Sequence, residues 1–135
     1  MKYSKTAPVK VIIIGAGGTG GYVIPHLYRI GFAARRPMRI IVCDGDVVES
    51  KNLIRQNFVE QDIGRNKAQV LAERYSAAFG IECEYIPRFV EDEKELFRLT
   101  KPDFLQNRWR GIPDTQRVIL LGCVDNNKSR KLCHP

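Results

Sequence analysis

The stretch VIIIGAGGTGGYVI, Val11 to Ile24, sets Gly15, Gly17 and Gly20 in the spacing G-x-G-x-x-G directly behind a β-branched run. The chemistry such a spacing serves is phosphate binding. Glycines allow a tight turn and close backbone approach to an anion, and the N-terminus of the helix that follows attracts it. Asp44 closes a second apolar run, MRIIVC, where a carboxylate can accept hydrogen bonds from ribose hydroxyls. Together these residues describe a site for a nucleotide with a ribose. They do not say which one, since a dinucleotide-dependent dehydrogenase has the same two features.

Further cations stand downstream, Arg55 in DGDVVESKNLIRQNF and Lys67 in DIGRNKA. Lys67 falls in the first turn of a predicted helix, where a cation opposes the macrodipole at ~0.3–1 kcal/mol. A polyphosphate in front of the sheet would supply a reason from outside the helix. Hydride transfer has no special need for such cations. Transfer at a triphosphate does, because charge must be neutralised at the α-phosphorus and on departing pyrophosphate. Taken singly, each reads equally well as a surface charge. Asp125 in CVDNNKSR closes the last apolar run, with Asn126 beside it and Arg130 one turn on. A carboxylate there can hold magnesium directly or through water. Equally, Asp125 or Asn126 can simply cap the next helix.

These residues need a scaffold that gathers them. Val9 to Ile14 and Met38 to Cys43 read as buried strands, and Glu82 to Ile86 and RVILLGCV as a third and fourth. Gly18 to Ile30 reads as a helix stopped by Gly31, with Pro25 expected to kink it or delay its start. Asp44 to Gly64 is polar and turn-like, with short helical possibilities. Asn66 to Phe79 is the clearest helix, with Ala68, Leu71, Tyr75 and Ala78 on one face and Gly80 as its stop. The acids Glu91, Asp92 and Glu93 open a short helix carrying Leu96, Phe97 and Leu99. Residues 101–116, with Trp109, read as a polar loop. Strands alternating with helices predict a Rossmann-like, doubly wound α/β fold with a mainly parallel sheet and helices on both faces. Its ligands collect at the carboxyl ends of the strands.

Composition fits one globular domain, residues 1–135, with 44% apolar and 27% charged residues. No apolar run approaches the roughly eighteen residues of a membrane span, and no leader-cleavage pattern follows MKYSKTAPVK, so the expected location is cytoplasmic. Cys43, Cys83, Cys123 and Cys133 stand singly, which argues against a zinc site and a disulfide framework; Cys43 and Cys123 read as small buried hydrophobes. His26 and His134 have no visible partner. The net charge of +7 suits a phosphate-rich ligand or an acidic partner, but no aromatic residues interleave with the basic cluster at Arg29, Arg35, Arg36 and Arg39, so nucleic acid is not the expected partner.

The ordered motifs resemble the ThiF/MoeB/HesA family, the adenylating domain related to ubiquitin-activating enzymes. They are G-x-G-G-x-G (Gly15, Gly17, Gly18, Gly20), D-x-D-x-V (Asp44, Asp46, Val48), N-L-x-R-Q (Asn52, Leu53, Arg55, Gln56), D-x-G-x-x-K-A (Asp62, Gly64, Lys67, Ala68) and D-N-x-x-x-R (Asp125, Asn126, Arg130). The wording DGDVVESKNLIRQNF is also similar to plasmid-associated ThiF-like proteins. The resemblance implies ATP and magnesium, and adenylation of the C-terminal carboxylate of a ubiquitin-like or sulfur-carrier protein. It implies that the glycine loop approaches the phosphates and Asp44 takes the ribose. Asn52, Arg55 and Lys67 then contact or neutralise the phosphates, Asp125 holds magnesium, and the protein forms a homodimer. Measured against the family, the chain is expected to be its N-terminal, nucleotide-binding part, truncated at the C-terminus. No cysteine is given a covalent role. The alternatives are an NAD(P)-binding oxidoreductase and a catalytically inert scaffold.

Overall fold

A run such as VKVIII can be buried on both faces only near the middle of a parallel sheet. That is where Val9–Ile14 (β1) lies, with every residue buried. The computed structural model describes residues 8–34, 37–81, 83–103 and 116–124. Around β1 stand Met38–Cys43 (β2), Cys83–Ile86 (β3) and Arg117–Gly122 (β4), in the order β3-β2-β1-β4 and all parallel. In register, Ile14 pairs with Cys43 on one side and Gly122 on the other, and Cys43 pairs with Ile86.

The helices are Gly18–Ala34 (α1), Lys67–Phe79 (α2) and Glu93–Leu99 (α3). Strand alternation sorts the core into two layers. Val9, Val11 and Ile13 of β1 share a cluster with Ile24 and Tyr28 of α1 and Ala68 and Leu71 of α2. Ile12 and Ile14 turn the other way, toward Ile41, Cys43 and Leu96 of α3. The predicted doubly wound sheet with helices on both faces is therefore the fold. Between α1 and α2, the Tyr28 ring lies 6.0 Å from Tyr75 and 5.9 Å from Phe79. Such pairs add about 0.5–1.5 kcal/mol each beyond burial. Among the described residues no helix is long and apolar enough to cross a membrane.

Two details correct the sequence reading. Gly31 does not stop α1, which runs on to Ala34. The residue is buried, and a Cβ there would lie 3.0 Å from Met38 Sδ, so this glycine makes room for the start of β2. Ala78 is exposed, while Ala68 and Leu71 are buried as predicted. The α2 ends follow their residues. Asn66 Oδ1 accepts from Gln69 N at 3.0 Å, and Gly80 ends the helix in the left-handed conformation, φ 66°.

At the amino ends of the strands, buried Lys10 donates to Asp103 Oδ1 at 3.1 Å, and Arg39 donates to the same oxygen at 2.5 Å and to both oxygens of Glu84. Asp103 and Gln116 bond reciprocally: Asp103 N donates to Gln116 Oε1 at 2.6 Å and Gln116 Nε2 to Asp103 Oδ2 at 3.0 Å. Burial pushes the Asp103 carboxyl up, but the hydrogen bonds from Gln116, Arg39 and Lys10 outweigh it and bring it down to about 2. A carboxylate held below its unfolded value stabilises the fold above that value and loses its contribution as pH falls. We expect stability to decline between about pH 4 and pH 2, and Asp103→Asn to flatten that decline. Urea titrations at stepped pH read the slope; an unchanged slope would remove Asp103 from the acid response. Of the predicted loop 101–116, all but residues 101–103 and 116, Trp109 among them, lies outside the described residues.

Candidate functional site

The β-ladder continues one residue past each strand and so sets the floor of the site. Gly15 N donates to Cys43 O at 2.9 Å, Asp44 N to Ile86 O at 3.1 Å and Cys123 N to Ile14 O at 2.8 Å. Three chain segments thus reach the carboxyl edge side by side, around a cavity of about 570 Å³.

The glycines of the loop have different duties. Gly15 has φ +103°, and a Cβ there would lie 2.6 Å from Cys123 O. At Gly20 a Cβ would lie 1.9 Å from Gly15 O, so this glycine lets α1 close onto the end of β1. Gly17 and Gly18 instead line the cavity together with Thr19. A Cβ on Gly18 would meet nothing within 4 Å, and one on Gly17 would meet only Gln56, 3.5 Å away. The N-terminus of α1 opens onto this space, where its unpaired backbone N–H groups favour an anion.

Asp44 ties the loop to the next turn. Its Oδ2 accepts from Ala16 N at 2.7 Å and its Oδ1 from Asp46 N at 2.9 Å. A carboxylate offers about four lone-pair sites, so acceptor capacity remains for a ligand hydroxyl. Burial raises its pKa; the backbone N–H groups of Asp46 and Ala16, and more weakly the charge of Lys67, pull against that rise. Asn66 completes the joint: its Nδ2 donates to Asp44 O at 2.9 Å and Asp46 O at 3.2 Å. That fixes the start of α2 and brings Lys67 to the cavity wall, its side chain only 7% exposed and its Nζ 3.7 Å from Asp46 Oδ2.

Arg55 also lines the cavity, is exposed, and has no carboxylate partner among the described residues. Gln56 stands beside it, with Oε1 buried and unpartnered there. Asn52 is not among the cavity residues. It is buried in the 3-10 turn Ser50–Ile54, where its Oδ1 accepts from Glu49 N at 2.8 Å and its carbonyl from Gln56 N, so it holds the backbone that carries Arg55. Asp125, with Asn126 and Arg130, lies outside the described residues; Val124, its neighbour in the chain, lines the cavity.

The apolar wall of the cavity is absent from the residues picked out by motif. Phe89 and Val90, past the end of β3, line the cavity together with Cys43. Gly45 makes room for them, since a Cβ there would lie 2.5 Å from the Phe89 ring. The glycine between the acids of D-G-D is the sequence mark of that space. Burial pushes the Cys43 thiol up to about 12 and Cys83 to about 11, so neither is a nucleophile at neutral pH. Cys123 is part-buried against the core, close to the small-hydrophobe reading.

A parallel sheet in the order 3-2-1-4, with a glycine loop and a buried acid at its carboxyl edge, defines a Rossmann-like α/β domain whose ligand face is that edge. The ThiF family model matches residues 2–134, and the chain belongs to the ThiF family. It is 35% identical over 71 residues to the NEDD8-activating enzyme E1 catalytic subunit of Saccharomyces cerevisiae, covering 52% of this chain and 22% of that one. It is 36% identical over 84 residues to the ATP-dependent ubiquitin transferase-like protein Cap2 of Enterobacter hormaechei, covering 58% and 13%. Among solved structures, E. coli MccB with ATP matches with TM-score 0.56 and 32% identity, over 70% of this chain and 26% of that one. The chain therefore spans a quarter or less of the first two relatives.

Proposed function

We propose that this domain binds ATP with magnesium and adenylates the C-terminal carboxylate of a ubiquitin-like or sulfur-carrier protein. The observation that carries the reading is the placement of two cations, Arg55 and Lys67, on the wall of the cavity that also holds the glycine loop and Asp44. An oxidoreductase would use the loop and the acid but has no task for the cations.

In this reading Gly17, Gly18 and the first turn of α1 receive the phosphates, while Asp44 accepts from the ribose. Phe89 and Val90 supply an apolar surface for the base. Lys67 and Arg55 neutralise charge gathering at the α-phosphorus and on pyrophosphate. Asp125 would hold magnesium, whose usual shell of phosphate oxygens, water and one or two carboxylates suits a cavity edge that already carries Asp44 and Asp46. Bound there, the ion would neutralise part of the polyphosphate charge. A C-terminal carboxylate has a pKa near ~3.5 and is ionised at neutral pH. It can attack the α-phosphorus as pyrophosphate leaves, with no general base, and none of the proposed site residues is a histidine. The acceptor class follows the relatives named for activating NEDD8 and, in Haloferax volcanii, SAMP. A cytoplasmic homodimer belongs to the same proposal.

ATP–pyrophosphate exchange with candidate ubiquitin-like proteins tests it. Exchange should appear with the cognate partner and fall about 100-fold in Arg55→Ala, with the fold intact because Arg55 is exposed. Tight binding of a reduced nicotinamide with ATP ignored would refute adenylation. ATP binding without exchange for any partner would favour an inert scaffold.

A further inference from the structure

Pro25 lies inside α1 and has no N–H, so the carbonyl of Gly21, one turn earlier, loses its regular helical donor. Asn57 fills that gap. Its Nδ2 donates to Gly21 O at 2.9 Å and to Tyr75 Oη at 2.6 Å. The backbone of Asn57 is held in turn, its carbonyl accepting from Arg74 Nη1 at 3.1 Å, while Arg74 pairs with Asp62. Gly21 is the glycine of the opening run that G-x-G-G-x-G does not use. A Cβ there would stand 3.4 Å from Asn57 Cβ, in van der Waals contact, so the segment lies close against α1 at this point.

The two residues just before Asn57, Arg55 and Gln56, line the cavity, and the first turn of α1 brings Gly18 and Thr19 to the same cavity. We propose that Asn57 is a positioning residue. By closing the carbonyl that Pro25 leaves open, it locks the segment carrying Arg55 to the helix that receives the phosphates. The consequence for nucleotide binding rests on the ATP reading above; the lock itself does not.

Two variants separate this role from a purely structural one. In Asn57→Ala the melting temperature should fall, and the Gln56 and Phe58 amides, bonded to Asn52 O and Gln56 O, should exchange at least tenfold faster. Magnesium–ATP affinity should weaken about tenfold, the equivalent of one hydrogen bond. Adding Pro25→Ala returns an N–H to Gly21 O from its own helix. The melting temperature should then recover, while amide exchange and ATP affinity stay as in the single variant. Recovery of all three would make Asn57 a simple cap and overturn the proposal, as would unchanged amide exchange in Asn57→Ala. If the wild type protects both amides, loses that protection in Asn57→Ala and binds no ATP, the lock stands and the nucleotide reading falls.

Discussion

Gly20→Ala is expected to destabilise the protein by at least about 3 kcal/mol, whereas Gly18→Ala, in the same loop, should melt within a few degrees of wild type. The contrast lies in what a methyl group meets. At position 20 it would stand 1.9 Å from the Gly15 carbonyl oxygen and 3.3 Å from Cys123 Cβ. That carbonyl cannot swing aside freely, because the N–H of the same peptide, at Ala16, is bonded to Asp44 Oδ2 at 2.7 Å. Relief requires α1 to lift from the end of β1, and a native stability of about 5–15 kcal/mol leaves little margin for it. At position 18 nothing lies within 4 Å, and alanine gains up to about 1 kcal/mol in helix propensity. Gly18 lines the cavity, however, so its methyl group should weaken ATP binding without harming the fold. Thermal melts and ATP titrations on both variants measure the contrast. A normally melting Gly20→Ala would mean that α1 does not need this close contact.

Lys67→Met is expected to show the opposite pattern, a fold at least as stable and a catalytic loss of about 100-fold or more in pyrophosphate exchange. Methionine keeps most of the apolar stem that lies buried at the start of α2. It removes a cation that opposes the helix dipole at ~0.3–1 kcal/mol. The acid left behind, Asp46, has a side chain 57% exposed and stays hydrated. Breaking this pair therefore does not strand a buried charge, the usual source of a large penalty. Asp44 should also protonate more readily, because Lys67 is one of the influences holding its pKa down. Melting curves with exchange rates decide the matter: a Lys67→Met that unfolds while its surviving fraction exchanges normally would make Lys67 a structural residue.

Much of the scaffold was legible because single residues dictate it. Apolar, β-branched runs placed β1, β2 and β4, alternation in ECEYI placed β3, and Asn66 and Gly80 marked α2 because each satisfies helix ends in a way few residues can. The gathering of Gly15, Gly17, Gly18, Asp44, Arg55 and Lys67 around one cavity follows from the parallel, doubly wound sheet that alternation of elements implied, with the strand order supplied by the structure. What escaped the sequence depends on contacts between distant segments. Gly31 carries the same letter whether it ends a helix or yields to Met38. Asn52 gives no sign from its type that it turns inward to Glu49 N. Phe89 became a cavity wall only once β3 stood beside β2 and Gly45 made room. Pro25 was foreseen as a local disturbance of α1, but its partner lay across the fold at Asn57.

The reciprocal bonds between Asp103 and Gln116 have a consequence for engineering. They tie residues 103 and 116 to each other at the amino edge of the sheet, with Lys10 and Arg39 gripping the same carboxylate. The ligand edge lies a full strand away, roughly 17 Å. A chain closed at its base can grow at about 0.6 kcal/mol per doubling of length. The Asp103–Gln116 clasp is thus a graft point, a closed base onto which a reporter or a tether could be spliced while the opposite edge keeps its geometry.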